Sequence, residues 1–183
     1  FGTKQCGNYT NVCDCYNREH SLPKSWFNDA TPMYTDLFHL VPTDGKVNGQ
    51  RGNYAFGECS SGTNLGGNAL GRLGTSNSTI TTDKSTSAGT SVTCSATVFE
   101  PVDEYKGDFA RGYFAMRVRY PAVNFAQAEG GTVMFTNTTS AASATNYGFT
   151  DYSVVLLMKW HRQDPVSQKE IDRNNGIQET QGN

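Results

Sequence analysis

The run from Tyr152 to Trp160 is apolar nearly all round, with Val154, Val155, Leu156, Leu157 and Met158 in succession. A helix without a polar face has no side to offer water, so the rest of the chain must enclose it. Two further helices are available to do so. Phe109, Tyr113, Phe114 and Tyr120 are the apolar positions of one, which Pro121 stops. Asp164-Pro165 supplies a capping residue and a first-turn proline for the other, which carries Val166, Ile171 and Ile177. Upstream the pattern changes. Tyr16 to Ser21 is a candidate strand broken before Pro23, and Leu37 to Val41 is a second, stopped by Pro42. Trp26 and Phe27 belong to the core. Helices around a small sheet make an α+β domain.

Between Cys59 and Cys94 the chain is mostly Gly, Ser, Thr and Asn. With little to bury, it reads as a surface excursion with a hairpin near Ser78 to Thr82. Ala122 to Thr145 reads as a second loop. Five cysteines leave one over if disulfides form. Cys59 and Cys94 bracket the polar stretch and are expected to pair, which would restrain the unfolded chain by about 3–4 kcal/mol. Cys6 then bonds either Cys13 or Cys15; alternatively the trio holds zinc with His20, although its spacing lacks the C-x₂-C form of common structural sites. Disulfides imply an oxidising compartment. The 183 residues suit one domain with an insertion at about 59–95. The net charge of −2 is unlike the basic excess of most nucleic-acid binders. No apolar run reaches a membrane-spanning length of about 18 residues.

The chemistry is concentrated in Asn17-Arg18-Glu19-His20-Ser21-Leu22-Pro23-Lys24-Ser25-Trp26-Phe27. A carboxylate suits a hard cation such as Mg²⁺, and a neutral imidazole suits proton abstraction from water. Successive strand residues leave opposite faces, so Glu19 and His20 can serve one site only at a strand end. The second block runs from Asp36-Leu37-Phe38-His39 to Asn48-Gly49-Gln50-Arg51-Gly52-Asn53. A third runs from Phe99-Glu100-Pro101 to Ala110-Arg111-Gly112-Tyr113. Trp160, Asp164-Pro165-Val166, Arg173-Asn174 and the closing Gln181-Gly182-Asn183 complete the set. In this order the blocks resemble the endonuclease I family of secreted bacterial nucleases, which carry a ββα-metal (His-Me finger) site. The resemblance does not cover the residues between Cys59 and Cys94.

The resemblance implies a short helix over Val47, Asn48 and Arg51, capped by Thr43 or Asp44, where Gly45, Gly49 and Gly52 would by propensity give a loop. It implies Glu19 and Asn48 as ligands of Mg²⁺, with Ca²⁺ or Mn²⁺ able to take the same place, and His20 as general base, one ring nitrogen anchored by a carbonyl. Arg51 and Arg111 match family positions and are candidates for phosphate contact; Arg18 and Lys24 are weaker ones. His39 reads as a packing group, and His161 as a helix-end residue. The implied protein is a secreted or periplasmic bacterial endonuclease, monomeric, with no membrane or obligate protein partner. It would cleave DNA and possibly RNA to 5′-phosphate and 3′-hydroxyl ends. The chain reads as trimmed at both ends. The competing reading is a non-enzymatic extracellular binding domain, or an RNA-preferring enzyme of the same fold. Neither a phosphate-binding Gly-Lys-Ser/Thr loop nor a serine-hydrolase signature is present.

Overall fold

The computed structural model describes residues 4, 5, 7–66, 70–76, 79–81 and 91–182. The chain folds as an α+β structure. Strands β1 (Tyr16–His20) and β2 (Leu40–Asp44) form an antiparallel pair, followed directly by helix α1 (Gly45–Arg51). β3 (Ala55–Phe56), β4 (Ser61–Asn64), β5 (Arg72–Ser76) and β8 (Ala96–Glu100) form a second sheet in the order β3-β8-β5-β4. β6 (Thr79–Thr81) and β7 (Ser91–Thr93) pair with each other. The helices are α2 (Lys106–Arg119), α3 (Glu129–Met134), α4 (Asp151–Gln163) and α5 (Gln168–Gln181).

The apolar run becomes α4, packed along α2 and starting at Thr150, whose hydroxyl accepts a hydrogen bond from the Ser153 amide. Leu156, Leu157 and Trp160 are fully enclosed. The core continues through a chain of aromatic rings. Trp26 meets Tyr113 and Phe135 edge-on at 6.4 and 6.3 Å, and Tyr113 stacks on Phe135 at 6.0 Å. Each buried aromatic contributes roughly 2–3 kcal/mol through area removed from water, so this chain of rings ties the ββα unit to α2.

The structure differs from expectation at four places. First, β2 starts at Leu40 and runs through Pro42; a two-stranded sheet has an open edge where the missing N–H costs nothing. Second, the stretch after Cys59 is not a simple surface excursion, because β5 lies inside the larger sheet between β8 and β4. The β6–β7 hairpin begins near the expected place, although Ser78 and Thr82 lie outside the described residues. Third, α3 and the buried Phe125 and Phe135 occupy the expected second loop. Fourth, α5 is capped by Ser167, not Asp164. Asp164 instead ends α4, and its carboxylate accepts from the Gly107 amide at 2.8 Å, completing the start of α2.

The expected Cys59–Cys94 disulfide is absent: both thiols are free and buried. The Cys59 thiol lies 3.6 Å from the Val98 carbonyl, whereas Cys94 precedes the first residue of β8 and adjoins Tyr152. Cys15 is disulfide-bonded and Cys13 is free and exposed; Cys6 lies outside the described residues.

Candidate active site

Alternation along β1 places Asn17 and Glu19 on one face and Arg18 and His20 on the other. Helix α1 lies over the first face. It can start there because Asp44 turns its carboxylate back onto the Lys46 and Val47 amides at 2.9 and 3.0 Å. It stops at Gly52, whose φ of 55° is a conformation glycine adopts without a Cβ penalty. Asn48 and Arg51, one turn apart, thereby face Asn17 and Glu19.

The Asn48 amide nitrogen donates to Asn17 Oδ1 at 2.7 Å and to the Arg18 carbonyl at 3.4 Å. Both bonds use the nitrogen, so the Asn48 carbonyl oxygen is held in a fixed direction and accepts no side-chain or backbone hydrogen bond among the described residues. Glu19 pairs through Oε1 with Arg51 Nη1. Burial pushes the Glu19 carboxyl up from its ordinary range, and the Arg51 charge opposes that shift. Glu19 and Asn48 both wall one cavity. Their donor set, one carboxylate and one amide carbonyl, is the hard-oxygen chemistry that Mg²⁺ takes while keeping several waters. Among the described residues no three His, Cys, Asp or Glu side chains converge on a point, so a cation here would be held by few protein ligands.

His20 leaves the other face. Its Nε2 lies 2.9 Å from the Tyr34 carbonyl, and its ring packs on Tyr34 at 4.9 Å. That contact defines a tautomer: Nε2 carries the proton and Nδ1 presents a lone pair. Burial, opposed by the Tyr34 bond, draws the imidazole below its ordinary pKa. The buried His39 repeats the pattern one residue earlier, with Nε2 at 2.8 Å from the Met33 carbonyl. Successive carbonyls of the 3₁₀ turn at Met33–Thr35 thus hold two histidines whose rings lie 5.3 Å apart. His20 does not wall the cavity that holds Glu19 and Asn48, so the two sets meet only at the end of β1.

A sequence profile of the Endonuclease I family matches residues 1–183. The chain belongs to the endonuclease I family. It is similar to an extracellular ribonuclease of Bacillus amyloliquefaciens, 34% identical over 170 residues, which cover 90% of this chain and 47% of that protein. An extracellular ribonuclease of Bacillus subtilis (strain 168) is 32% identical over 173 residues, covering 92% and 48% respectively. The chain spans about half the length of these curated relatives.

The two arginines singled out in this endonuclease I chain are placed elsewhere than on open phosphate-facing positions. The Arg51 side chain is only 3% exposed. Besides Glu19 it donates to the His20 and Ser21 carbonyls at 3.0 and 2.8 Å, and its guanidinium lies 4.6 Å above the Phe56 ring. It therefore locks the end of β1 and orients Glu19. Arg111 is not brought to the group at all. Its five N–H donors go to Glu170 (2.6 Å twice), Asp108 (3.0 Å), the Asp164 carbonyl (2.8 Å) and His161 Nδ1 (3.2 Å). It clamps α2 to α5 and to the end of α4. Lys24 is paired with Asp29 at 2.9 Å. Arg18 is exposed, shares the face of His20, and has no ion pair among the described residues.

Sequence reasoning did not supply the Tyr34 carbonyl, the Tyr113 hydroxyl that donates to the Ser21 carbonyl at 2.8 Å, or Arg173, which donates to the Phe38 and Leu40 carbonyls at 3.5 and 3.4 Å. The first and third act through backbone atoms that no residue pattern encodes. The place of Arg173 in the family-like blocks was its only signal.

Proposed function

We propose that this chain is the catalytic part of an extracellular, metal-dependent endonuclease that hydrolyses phosphodiester bonds in RNA and DNA. The observation that carries the reading is the anchoring of His20 by the Tyr34 carbonyl, at the end of the strand that also presents Glu19 to Asn48. A neutral imidazole with a directed Nδ1 lone pair is the group needed to take a proton from the attacking water. Water oxygen bonds to phosphorus as its proton passes to Nδ1; the bond to the 3′ oxygen breaks, and that oxygen takes a proton from a second water, leaving a 5′-phosphate and a 3′-hydroxyl. Glu19 and Asn48 would hold Mg²⁺, with Ca²⁺ or Mn²⁺ as substitutes; when bound, the ion supplies Lewis acidity to the phosphate and its leaving oxygen. Arg51 opposes the upward push of burial on the Glu19 carboxyl and aims it, and the exposed Arg18 is the cation best placed to meet a phosphate. A phosphate-centred site carries no base identity, which accounts for little sequence preference. Both Bacillus relatives are extracellular ribonucleases, which supports RNA as a substrate and secretion as the destination.

The test is digestion of plasmid DNA and single-stranded RNA with Mg²⁺, with EDTA, and by His20→Ala. The reading expects cleavage that requires the metal and falls by about 10²–10⁴-fold without the imidazole. Wild-type rates from a folded His20→Ala protein would remove His20 as the base, and no cleavage by the folded wild type would favour the binding-domain alternative.

A further inference from the structure

Helix α1 carries Asn48 and Arg51, yet little in its own sequence holds it in place. Its seven residues fall short of the roughly 12 at which an isolated helix begins to persist, and the interior Gly49 is a poor helix former. β1 and β2 support it on the side that Asn48 and Arg51 face. Residues 8–15 cross another side. They form a fixed loop, since the Asp14 carboxylate accepts from the Thr10 and Asn11 amides at 2.7 Å each. Three bonds fasten that loop to the start of α1. The Cys13 amide donates to Asp44 Oδ2 at 2.6 Å, the Gly45 amide to the Cys15 carbonyl at 3.0 Å, and Lys46 Nζ to the Thr10 carbonyl at 2.8 Å. Tyr9 reaches further along the helix. Its ring rests on Gly45 and Gly49, where a Cβ would meet Cδ1 at 2.9 Å and Cζ at 3.0 Å and, at Gly49, would overlap Oη. The glycines that weaken α1 are therefore the floor on which this ring sits, and Gly49 adjoins Asn48. A small cation such as Mg²⁺ demands near-ideal ligand geometry, so an oxygen carried on a loosely held helix would bind it poorly.

We infer that residues 8–15 are a strap that fixes α1, and that Tyr9 is a positioning residue, outside the cavity, which holds the Asn48 carbonyl in place for the metal. The inference rests on the proposed metal-dependent reading of Glu19 and Asn48.

The test is binding of Mn²⁺ to the full chain without nucleic acid, read from the loss of the free-ion EPR signal. Binding that Glu19→Gln removes is binding at this site. Tyr9→Ala should raise its Kd about tenfold or more, whereas Tyr9→Phe, which keeps the ring on both glycines, should bind like the wild type. Gly49→Ala displaces the ring and should weaken binding by itself, but should add nothing to Tyr9→Ala, where the ring is already gone. In Mg²⁺ with RNA, Tyr9→Ala should need correspondingly more metal for half-maximal rate and approach the wild-type kcat at saturation. A role confined to stability would lower the unfolding midpoint and leave the Kd of the folded protein unchanged. Equal Mn²⁺ affinity in wild type and Tyr9→Ala, or additive losses from the two substitutions, overturns the inference alone. Failure of the wild type to bind Mn²⁺ through Glu19 removes the metal reading, and the inference with it.

Discussion

Acid should destabilise this protein through His39 in particular. The ring is fully enclosed, lies edge-on to Phe27 at 5.9 Å, and spends Nε2 on the Met33 carbonyl. Burial pulls its pKa down to about 4, whereas the unfolded chain titrates at the ordinary 6.5. A depressed folded-state pKa means that the unfolded chain binds the proton first. The stabilisation is therefore complete above pH 6.5 and is lost as pH falls toward 4. At 1.36 kcal/mol per unit, the total is about 3 kcal/mol, of which about 2 kcal/mol is already gone at pH 5. The comparison is urea unfolding of wild type and His39→Gln at pH 7.5 and pH 5; glutamine stays neutral and can still donate to the Met33 carbonyl. The variant should be the less stable at pH 7.5, through lost packing, and the gap should narrow by about 2 kcal/mol at pH 5. Carboxylates elsewhere titrate equally in both proteins and cancel. A gap of the same size at both pH values would refute a buried neutral His39. Because the adjacent carbonyl of the same turn anchors His20, loosening of this turn in acid should also release the proposed general base.

Arg111→Met should cost about 3 kcal/mol of stability, since it leaves Asp108 and Glu170 without their shared cation, while kcat measured on the folded variant should change little; a large loss of kcat at unchanged stability would restore Arg111 to the phosphate. Unfolding without reductant followed by alkylation should label both Cys59 and Cys94, and a disulfide-linked peptide joining them would contradict the arrangement of the larger sheet. Binding of single-stranded oligonucleotide should show a shallow salt dependence, with a log–log slope smaller in size than about 2; a steep slope would reveal a basic track absent from this description.

The sequence was most legible where burial imposes a period. The run at Tyr152 has no polar face, so its helix and its central position followed together, and β1 was equally local; the helix that Asp44 caps came from the family resemblance, with Thr43 or Asp44 open as its cap. β5 was not legible. Its Leu73-Gly74-Thr75 reads as a loop, yet Gly74 is there because a Cβ would come within 2.4 Å of Gly62 Cα on β4. The small residues record a close approach of two strands, and composition alone cannot separate that from an unpacked loop. Asp164-Pro165 misled for a related reason. An Asp before a Pro is a sound capping signal, but the carboxylate was taken by Gly107 on another helix, which leaves Ser167 to begin α5. Within the site, the candidate residue types were legible, and their company was not: whether an arginine faces solvent or a pair of carboxylates depends on contacts far away in the chain.

That last point bears on how a protein of net charge −2 could handle a polyanion. Apart from the exposed Arg18, the cations named above are not held in reserve for the substrate. Arg51 is spent on Glu19 and two carbonyls, Arg111 on Asp108 and Glu170, Lys106 on Glu100 and Asp103, and Arg117 lies buried between Phe125 and Phe135. Each supports the framework, and none adds a phosphate contact. Attraction for nucleic acid must then come from elsewhere, and the structure offers two sources. One is the proposed divalent ion, whose charge a single carboxylate and a neutral amide would leave largely uncompensated. The other is Arg18, exposed and without an ion pair among the described residues. Both act at one bond rather than along a backbone, so the same economy of cations favours a site that engages one phosphate at a time.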